Sequence, residues 1–308
     1  MKTKKLILFL TFAAVFGNAS AQDVLYVSNL NDKAIKIIDV NPSTGACPGN
    51  FSEVGNINNP SAAIGRYGNY IFYLGYGESG EGVGEGKVNI RSIHINGTSH
   101  HNQGTYDLNG SSSSNLGFVR LAIDKNGKGW ILAKKTSGDQ MYLARFTANG
   151  SNGTISNFTV VSSNVTTSDN SNSVFENGDI CFDGHGKMYA LANNTNAVTK
   201  IYTMDPTVST VLHYKWLLKT NTMTNFSGQV NGMAFTSTGS VYFSSTTGLW
   251  FLDQFTTNFA GTGTVKVSLI KSETGLTDLA TTYWPMLTQL PVKITNIQTR
   301  LIISKGSN

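Results

Sequence analysis

The stretch Gly178-Asp179-Ile180-Cys181-Phe182-Asp183-Gly184-His185-Gly186-Lys187-Met188-Tyr189-Ala190-Leu191-Ala192 decides the fold. It reads as two short apolar strands joined by a turn that carries two glycines, the composition of a tight hairpin. Its opening triplet, Ile180-Cys181-Phe182, is apolar, small, apolar. The same pattern stands at Ala62-Ala63-Ile64, Leu121-Ala122-Ile123, Met233-Ala234-Phe235 and Leu279-Ala280-Thr281, with middle residues 59, 59, 53 and 46 positions apart. Self-similarity at this period marks a repeat architecture whose units bury their faces against one another.

Each copy opens a unit of four expected strands. In the fourth unit these are 178–183, 187–192, 198–204 and 213–219, and in the third 119–124, 129–133, 142–147 and 158–162. The fifth unit follows with 232–236, 240–244, 249–253 and 265–270, and the second with 62–65, 70–74, 88–95 and 104–108. The first unit lacks its opening strand and shows only 24–27, 35–40 and 51–57. The strand it lacks stands at the far end, where Asp278-Leu279-Ala280 aligns with Asp179-Ile180-Cys181. A C-terminal strand that completes the N-terminal sheet removes a free edge and closes a ring. The expectation is an all-β fold: a β-propeller of five four-stranded blades, or six if a long loop hides strands, closed by the C-terminal strand joining the first blade. Innermost strands crowd the axis of such a ring, so a small middle residue avoids overpacking. Cys181 then reads as a packing residue. Two cysteines are too few for a disulfide framework, and Cys47 sits in a separate Gly/Pro loop.

The ends differ from the body. Lys2, Lys4 and Lys5, the apolar run 6–16 and Ala19-Ser20-Ala21 form an export signal over 1–21. The body is 22–285, and 286–308 is a linker or the truncated start of a following module. The formal charge of +5 belongs to these ends: the three signal lysines and Lys293, Arg300 and Lys305 account for six cations, which leaves −1 for 22–285. A near-neutral body without a basic stripe is not expected to bind nucleic acid. No stretch is long and apolar enough to be a transmembrane helix. The expected protein is a monomer, secreted or held at the cell surface.

After the body comes Leu290-Pro291-Val292-Lys293-Ile294. It resembles a junction found in exported proteins of gliding Gram-negative bacteria, where it precedes further β modules and a type IX sorting domain. The sorting domain itself is absent from this sequence. The body is also similar to uncharacterised secreted propeller-like repeat families, and that resemblance implies architecture alone.

The position before each triplet would form a ring at one mouth of the propeller: Ser61, Arg120, Asp179, Gly232 and Asp278. Two carboxylates beside an arginine suit a polar ligand or a cation, or else an ion pair that satisfies buried strand ends. Residues 75–86 add a glycine-rich acidic loop with Tyr76, Glu78, Glu81 and Glu85. Oxygen ligands of this kind suit Ca²⁺, so Asp179, Asp278, Glu78, Glu81 and Glu85 are the candidate metal set; no other cofactor is expected. Gly75, Gly77 and Gly80 match a dinucleotide fingerprint, but the helix it requires does not follow. Asp124-Lys125-Asn126-Gly127-Lys128-Gly129 reads as a hairpin turn rather than a Ca²⁺ loop. No nucleophile elbow or Ser-His-Asp set is present.

These features favour a secreted, non-enzymatic propeller that binds a protein or glycan through the mouth formed by the 75–86 loop and the inner-strand ends. Ser61, Arg120, Asp179, Asp278 and Tyr76 are the ligand-binding candidates. Two alternatives stand beside it: a lyase or metal-assisted hydrolase using the Arg/Asp mouth site, and a structural module of a larger surface protein.

Overall fold

A computed structural model describes residues 22–57, 63–75, 86–108, 116–194, 198–226, 228–253 and 263–287. The predicted signal, Ser61, most of the acidic loop and the Leu290–Ile294 junction lie outside them.

The chain folds into successive antiparallel meanders. The first holds β1 (Asp23–Asn29), β2 (Ala34–Val40) and β3 (Ser52–Asn56), and the second β4 (Ile64–Tyr67), β5 (Tyr70–Gly75), β6 (Lys87–His94) and β7 (His100–Asp107). The third holds β8 (Leu116–Ile123), β9 (Lys128–Lys135), β10 (Met141–Ala148) and β11 (Ile155–Thr167). The fourth holds β12 (Asn177–Phe182), β13 (Met188–Asn193), β14 (Thr199–Met204) and β15 (Val211–Thr220). The fifth holds β16 (Val230–Phe235), β17 (Val241–Ser245), β18 (Gly248–Leu252) and β19 (Gly263–Ser272), and β20 (Leu276–Ala280) ends the series. β20 pairs antiparallel with β1, so the first sheet has the order β20-β1-β2-β3. Among the described residues there is no α-helix; one short 3-10 turn spans Asn172–Val174.

Strands such as β13, β16 and β17 are buried on both faces. The reason is that each meander is sandwiched. One apolar cluster joins the second and third meanders through Phe72, Leu121 and Tyr142, and the next joins the third and fourth through Trp130, Ile180 and Tyr202. A further cluster joins the fourth and fifth through Tyr189, Met233 and Phe243. Another joins the fifth and first through Tyr242, Leu25 and Leu279. The last returns from the first to the second through Tyr26, Ile35 and Ile71. The opening strands also touch in cyclic order: β4 with β8, β8 with β12, β12 with β16, β16 with β20 and β20 with β4.

The small residue of each opening strand faces an aromatic one on the next strand. The cross-strand pairs are Ala122 with Trp130, Cys181 with Tyr189, Ala234 with Tyr242, and Ala280 with Tyr26. In the second meander the pair is Gly65 with Phe72. The second triplet is therefore Ile64-Gly65-Arg66, two residues further on than the expected Ala62-Ala63-Ile64. The cause is steric: a Cβ on Gly65 would lie 3.0 Å from the Ile123 side chain and 3.3 Å from its backbone nitrogen. The strand needs its smallest residue there, and glycine outranks Ala63. Trp130 and Tyr189 pack on Phe182 and Phe235, the third triplet residues of the following meanders.

The hairpin after β8 is a turn, as expected, held by one carboxylate. Asp124 Oδ1 accepts the backbone N–H groups of Asn126 and Lys128 at 2.8 and 3.0 Å, while Gly127 supplies φ +77. Asp183 repeats the device with His185 and Lys187. Outer strands also meet: β15 runs parallel to β11 at Thr166–Thr167 and to β19 along Gly263–Val267. This joins the third, fourth and fifth meanders into a 12-stranded sheet.

Candidate functional site

The five opening strands surround a cavity of about 30 Å³, lined by the triplet residues and by Tyr283 and Trp284. That is room for a water molecule or two, since one needs roughly 10–15 Å³ of such space. The thiol of Cys181 lines it, and burial followed by the nearby Asp179 charge pushes that thiol well above its usual range. Both cysteines are free.

At one end the structure brings Arg120, Asp179 and Asp278 together. Asp179 and Asp278 are 0% and 1% exposed. An innermost strand has no partner on its axial edge, so N–H groups on that edge need acceptors. The carboxylates supply them across the strand gaps. Asp179 Oδ2 accepts the N–H of Met233 at 2.6 Å, and Asp278 Oδ2 accepts that of Ile64, also at 2.6 Å. Asp179 Oδ1 takes its own Ile180 N–H at 2.7 Å. Asp278 Oδ1 has no hydrogen-bond partner. Met233 and Ile64 each open the next triplet, so the two aspartates are equivalent struts. The Arg120 guanidinium donates to the carbonyls of Gly178 and of Val119 and lies over the Phe118 ring. Gly232, on the same ring, has no room for a side chain, since a Cβ there would lie 2.4 Å from Ser244 Oγ.

Burial, and after it the Asp278 charge, raises the Asp179 carboxyl well above the usual carboxylate range. Burial raises Asp278 to about 7, opposed by the neighbouring Asp179 side chain and by the charge of Arg120. Two carboxyls this close and this dry favour holding a proton between them over two full charges.

Ser61, Tyr76, Glu78, Glu81 and Glu85 lie outside the described residues. Among the described residues no group of three or more His, Cys, Asp or Glu side chains is placed to hold a metal ion.

The opposite end of the axis is closed by a segment that sequence reasoning left as the edge of the body. After β20 the chain crosses the strand ends. Thr281 Oγ1 donates to Phe235 O at 2.8 Å, Trp284 Nε1 donates to Ile123 O at 2.9 Å, and Gly184 N donates to Pro285 O at 2.8 Å. Trp284 is a partly buried plug. The aromatic pair Tyr283-Trp284 directly after the closing strand was the available signal.

No protein-family model matches the chain, and no curated protein matches it. Solved structures with a related overall shape include a GH43 β-1,3-galactosidase, BT0265. That protein is 12% identical with a TM-score of 0.46, over 69% of this chain and 47% of that one. The major Malassezia sympodialis allergen Mala s 1 is 13% identical with a TM-score of 0.41, over 84% and 79%. The Pseudomonas aeruginosa periplasmic gluconolactonase PpgL is 10% identical with a TM-score of 0.36, over 82% and 68%. The chain spans about half the length of the first of these. At such scores the likeness carries no argument about activity. The meanders, their shared cores and the filled axis define a β-propeller-like all-β protein.

Proposed function

We propose that this chain is a closed five-bladed propeller, exported from the cell, that serves as a non-enzymatic binding module for a protein or glycan. The five apolar clusters in cyclic order support the blade number, and the β20–β1 pairing supports the closure. One observation carries the binding role: the axis, where propeller active sites would draw substrate, is filled. Its cavity of about 30 Å³ is too small for a sugar. Three of the four carboxylate oxygens beside it accept backbone N–H groups. The carboxyls are bonded as struts. Ligand recognition then falls to the two faces of the ring and to its outer strands.

The second reading is a lyase or metal-assisted hydrolase working through Arg120, Asp179 and Asp278. The Asp278 carboxyl near 7 suits acid–base work at neutral pH. It requires substrate to reach two side chains that solvent does not reach. The test is incubation of the full chain with polysaccharides, with and without Ca²⁺, Mn²⁺ or Zn²⁺. Turnover that disappears in Asp278→Asn while the fold is kept overturns the binding-module reading. Specific capture on glycan or purified-protein arrays without turnover supports it. N-terminal sequencing of the mature protein tests export, with Gln22 as the expected first residue.

A further inference from the structure

On the face that Trp284 closes there is a second, larger concavity, and it is built differently from the axis. A cleft of about 440 Å³ lies between the β4–β5 turn, the β10–β11 turn and the segment after β20. Its walls are Tyr67, Asn69, Gly150, Ser151, Thr282 and Trp284, with Gly68 between the first two. The volume is within the usual range of small-molecule sites, roughly 300–1,000 Å³.

The cleft is held rigid from below. Asn69 N donates to Gly150 O at 2.8 Å, so the two turns are joined backbone to backbone. Only glycine permits that approach: a Cβ on Gly68 would lie 2.6 Å from Gly150 O, and one on Gly150 would lie 2.8 Å from Tyr67 O. Ser151 N is fixed by Asn149 Oδ1 at 3.0 Å. The indole is pinned through its only donor, so it offers the cleft an apolar ring surface and no polar group. Tyr67 meets it edge-on, with centroids 6.5 Å apart at 62°.

The lining chemistry selects the ligand. Two rigid aromatic rings, one of them a phenol, stand beside one carboxamide and two aliphatic hydroxyls, and among the described residues no carboxylate or cation lines the cleft. A charged ligand would lose its hydration without a counter-charge. A purely apolar ligand would leave the carboxamide and hydroxyls unpaired. A pyranose answers both, with an apolar C–H face to lie on a ring and equatorial hydroxyls for Asn69, Ser151 and Thr282.

We propose that this cleft binds a neutral saccharide unit packed against Trp284 and Tyr67. The proposal rests on the binding-module reading and names its ligand class, and it moves recognition to the face opposite the Arg120–Asp179–Asp278 end.

Trp284 also provides the readout. The chain has four tryptophans, and Trp130, Trp216 and Trp250 are 1%, 2% and 9% exposed. Acrylamide therefore quenches chiefly Trp284. The full chain is titrated with neutral gluco-, galacto-, manno- and xylo-oligosaccharides to millimolar concentration, following tryptophan emission and its quenching. The expected result is a saturable change with protection from acrylamide for at least one series. It should weaken by about tenfold or more in Ser151→Leu and Asn69→Ala, whose side chains are exposed and which add no tryptophan, with Tm unchanged; tenfold corresponds to about 1.4 kcal/mol. Binding that survives both variants overturns the cleft but leaves the binding-module reading intact. The absence of any saturable change across all four series overturns the saccharide assignment, while a protein ligand captured on an array would still support the module. Turnover of an oligosaccharide would instead sink the module reading.

Discussion

Asp278 Oδ2 accepts the backbone N–H of Ile64 at 2.6 Å, joining strands 214 residues apart in the chain. Asp179 makes the matching bond to Met233 at 2.6 Å. The aspartates thus tie β20 to β4 and β12 to β16 across gaps where no sheet ladder runs. Removing Asp179 as an acceptor leaves two buried N–H groups, those of Ile180 and Met233, without partners. Asp179→Ala should lower stability by about 1–3 kcal/mol for each N–H left unpaired. Asp179→Asn, which keeps an acceptor and no charge, should cost less. Urea unfolding of the two variants side by side checks the order.

The raised carboxyls make stability depend on pH with a definite sign. A carboxyl whose folded pKa is raised binds its proton more tightly in the folded state than in the unfolded chain. Its contribution is complete below the unfolded value of about 4 and is lost as pH rises to about 7, where Asp278 titrates. The groups acting on this site are Arg120, the partner Asp179 and the Cys181 thiol. Tm should therefore fall between pH 5 and 7 more steeply in the wild type than in Asp278→Asn. Parallel slopes in the two proteins would contradict the shared-proton account.

Space at the axis is limited to about 30 Å³. Ala234→Leu inserts methylenes against this wall and should cost about 1–3 kcal/mol. Cys181→Ala removes one sulfur from the same wall and should stay within about 1.5 kcal/mol of wild type, since the thiol makes no disulfide. Chemical denaturation midpoints distinguish the two. A Cys181→Ala loss as large as that of Ala234→Leu would show that the cysteine does more than pack.

Trp284→Phe keeps a ring over the strand ends but loses the 2.9 Å bond to Ile123 O. The expected cost is about 0.5–1.5 kcal/mol. Trp284→Ala also uncovers the axial cavity and should cost more, with Cys181 becoming reactive to a thiol reagent in the native state. Labelling kinetics with a maleimide measures this, and a Cys181 as slow as in wild type would mean that Trp284 is not the plug.

Hydrogen exchange should separate the outer strands. β15 is paired on its outer edge by β11 at one end and β19 at the other. β7 pairs only with β6 among the described residues. Amides of 216–220 should exchange more slowly than those of 100–107, because a paired, covered edge opens less often.

Much of the architecture was legible in the sequence because it rests on local pattern. Gly-rich turns between apolar runs marked the meanders, and the Asp179–Asp278 alignment marked β20 as the partner of β1. The second triplet was misplaced by two residues because Ala63 and Gly65 are both small. Only the approach of Ile123 to Gly65 selects between them. The mouth ring brought Arg120, Asp179 and Asp278 together as the spacing implied. The residues alone left two readings of them, a ligand site and a buried pair at the strand ends, since exposure depends on how closely five strands converge; the structure buries both carboxylates. Of the cleft, only the aromatic Trp284 left a signal in the sequence; its other walls, Tyr67 and Ser151, come from two turns far apart in the chain.

The sequence by itself determined the repeat, the order of the strands and the residue types at the axis, because hairpin pairing and side-chain size are properties of neighbours along the chain. Only the tertiary structure decided that the two carboxylates act as struts between strands, that Trp284 closes the far end of the axis, and that a neutral aromatic cleft opens beside it. Those outcomes depend on distances between segments up to 249 residues apart, as in the Ser28–Thr277 contact beside the β1–β20 pairing. Chain order does not encode such distances; the packing of the apolar clusters sets them.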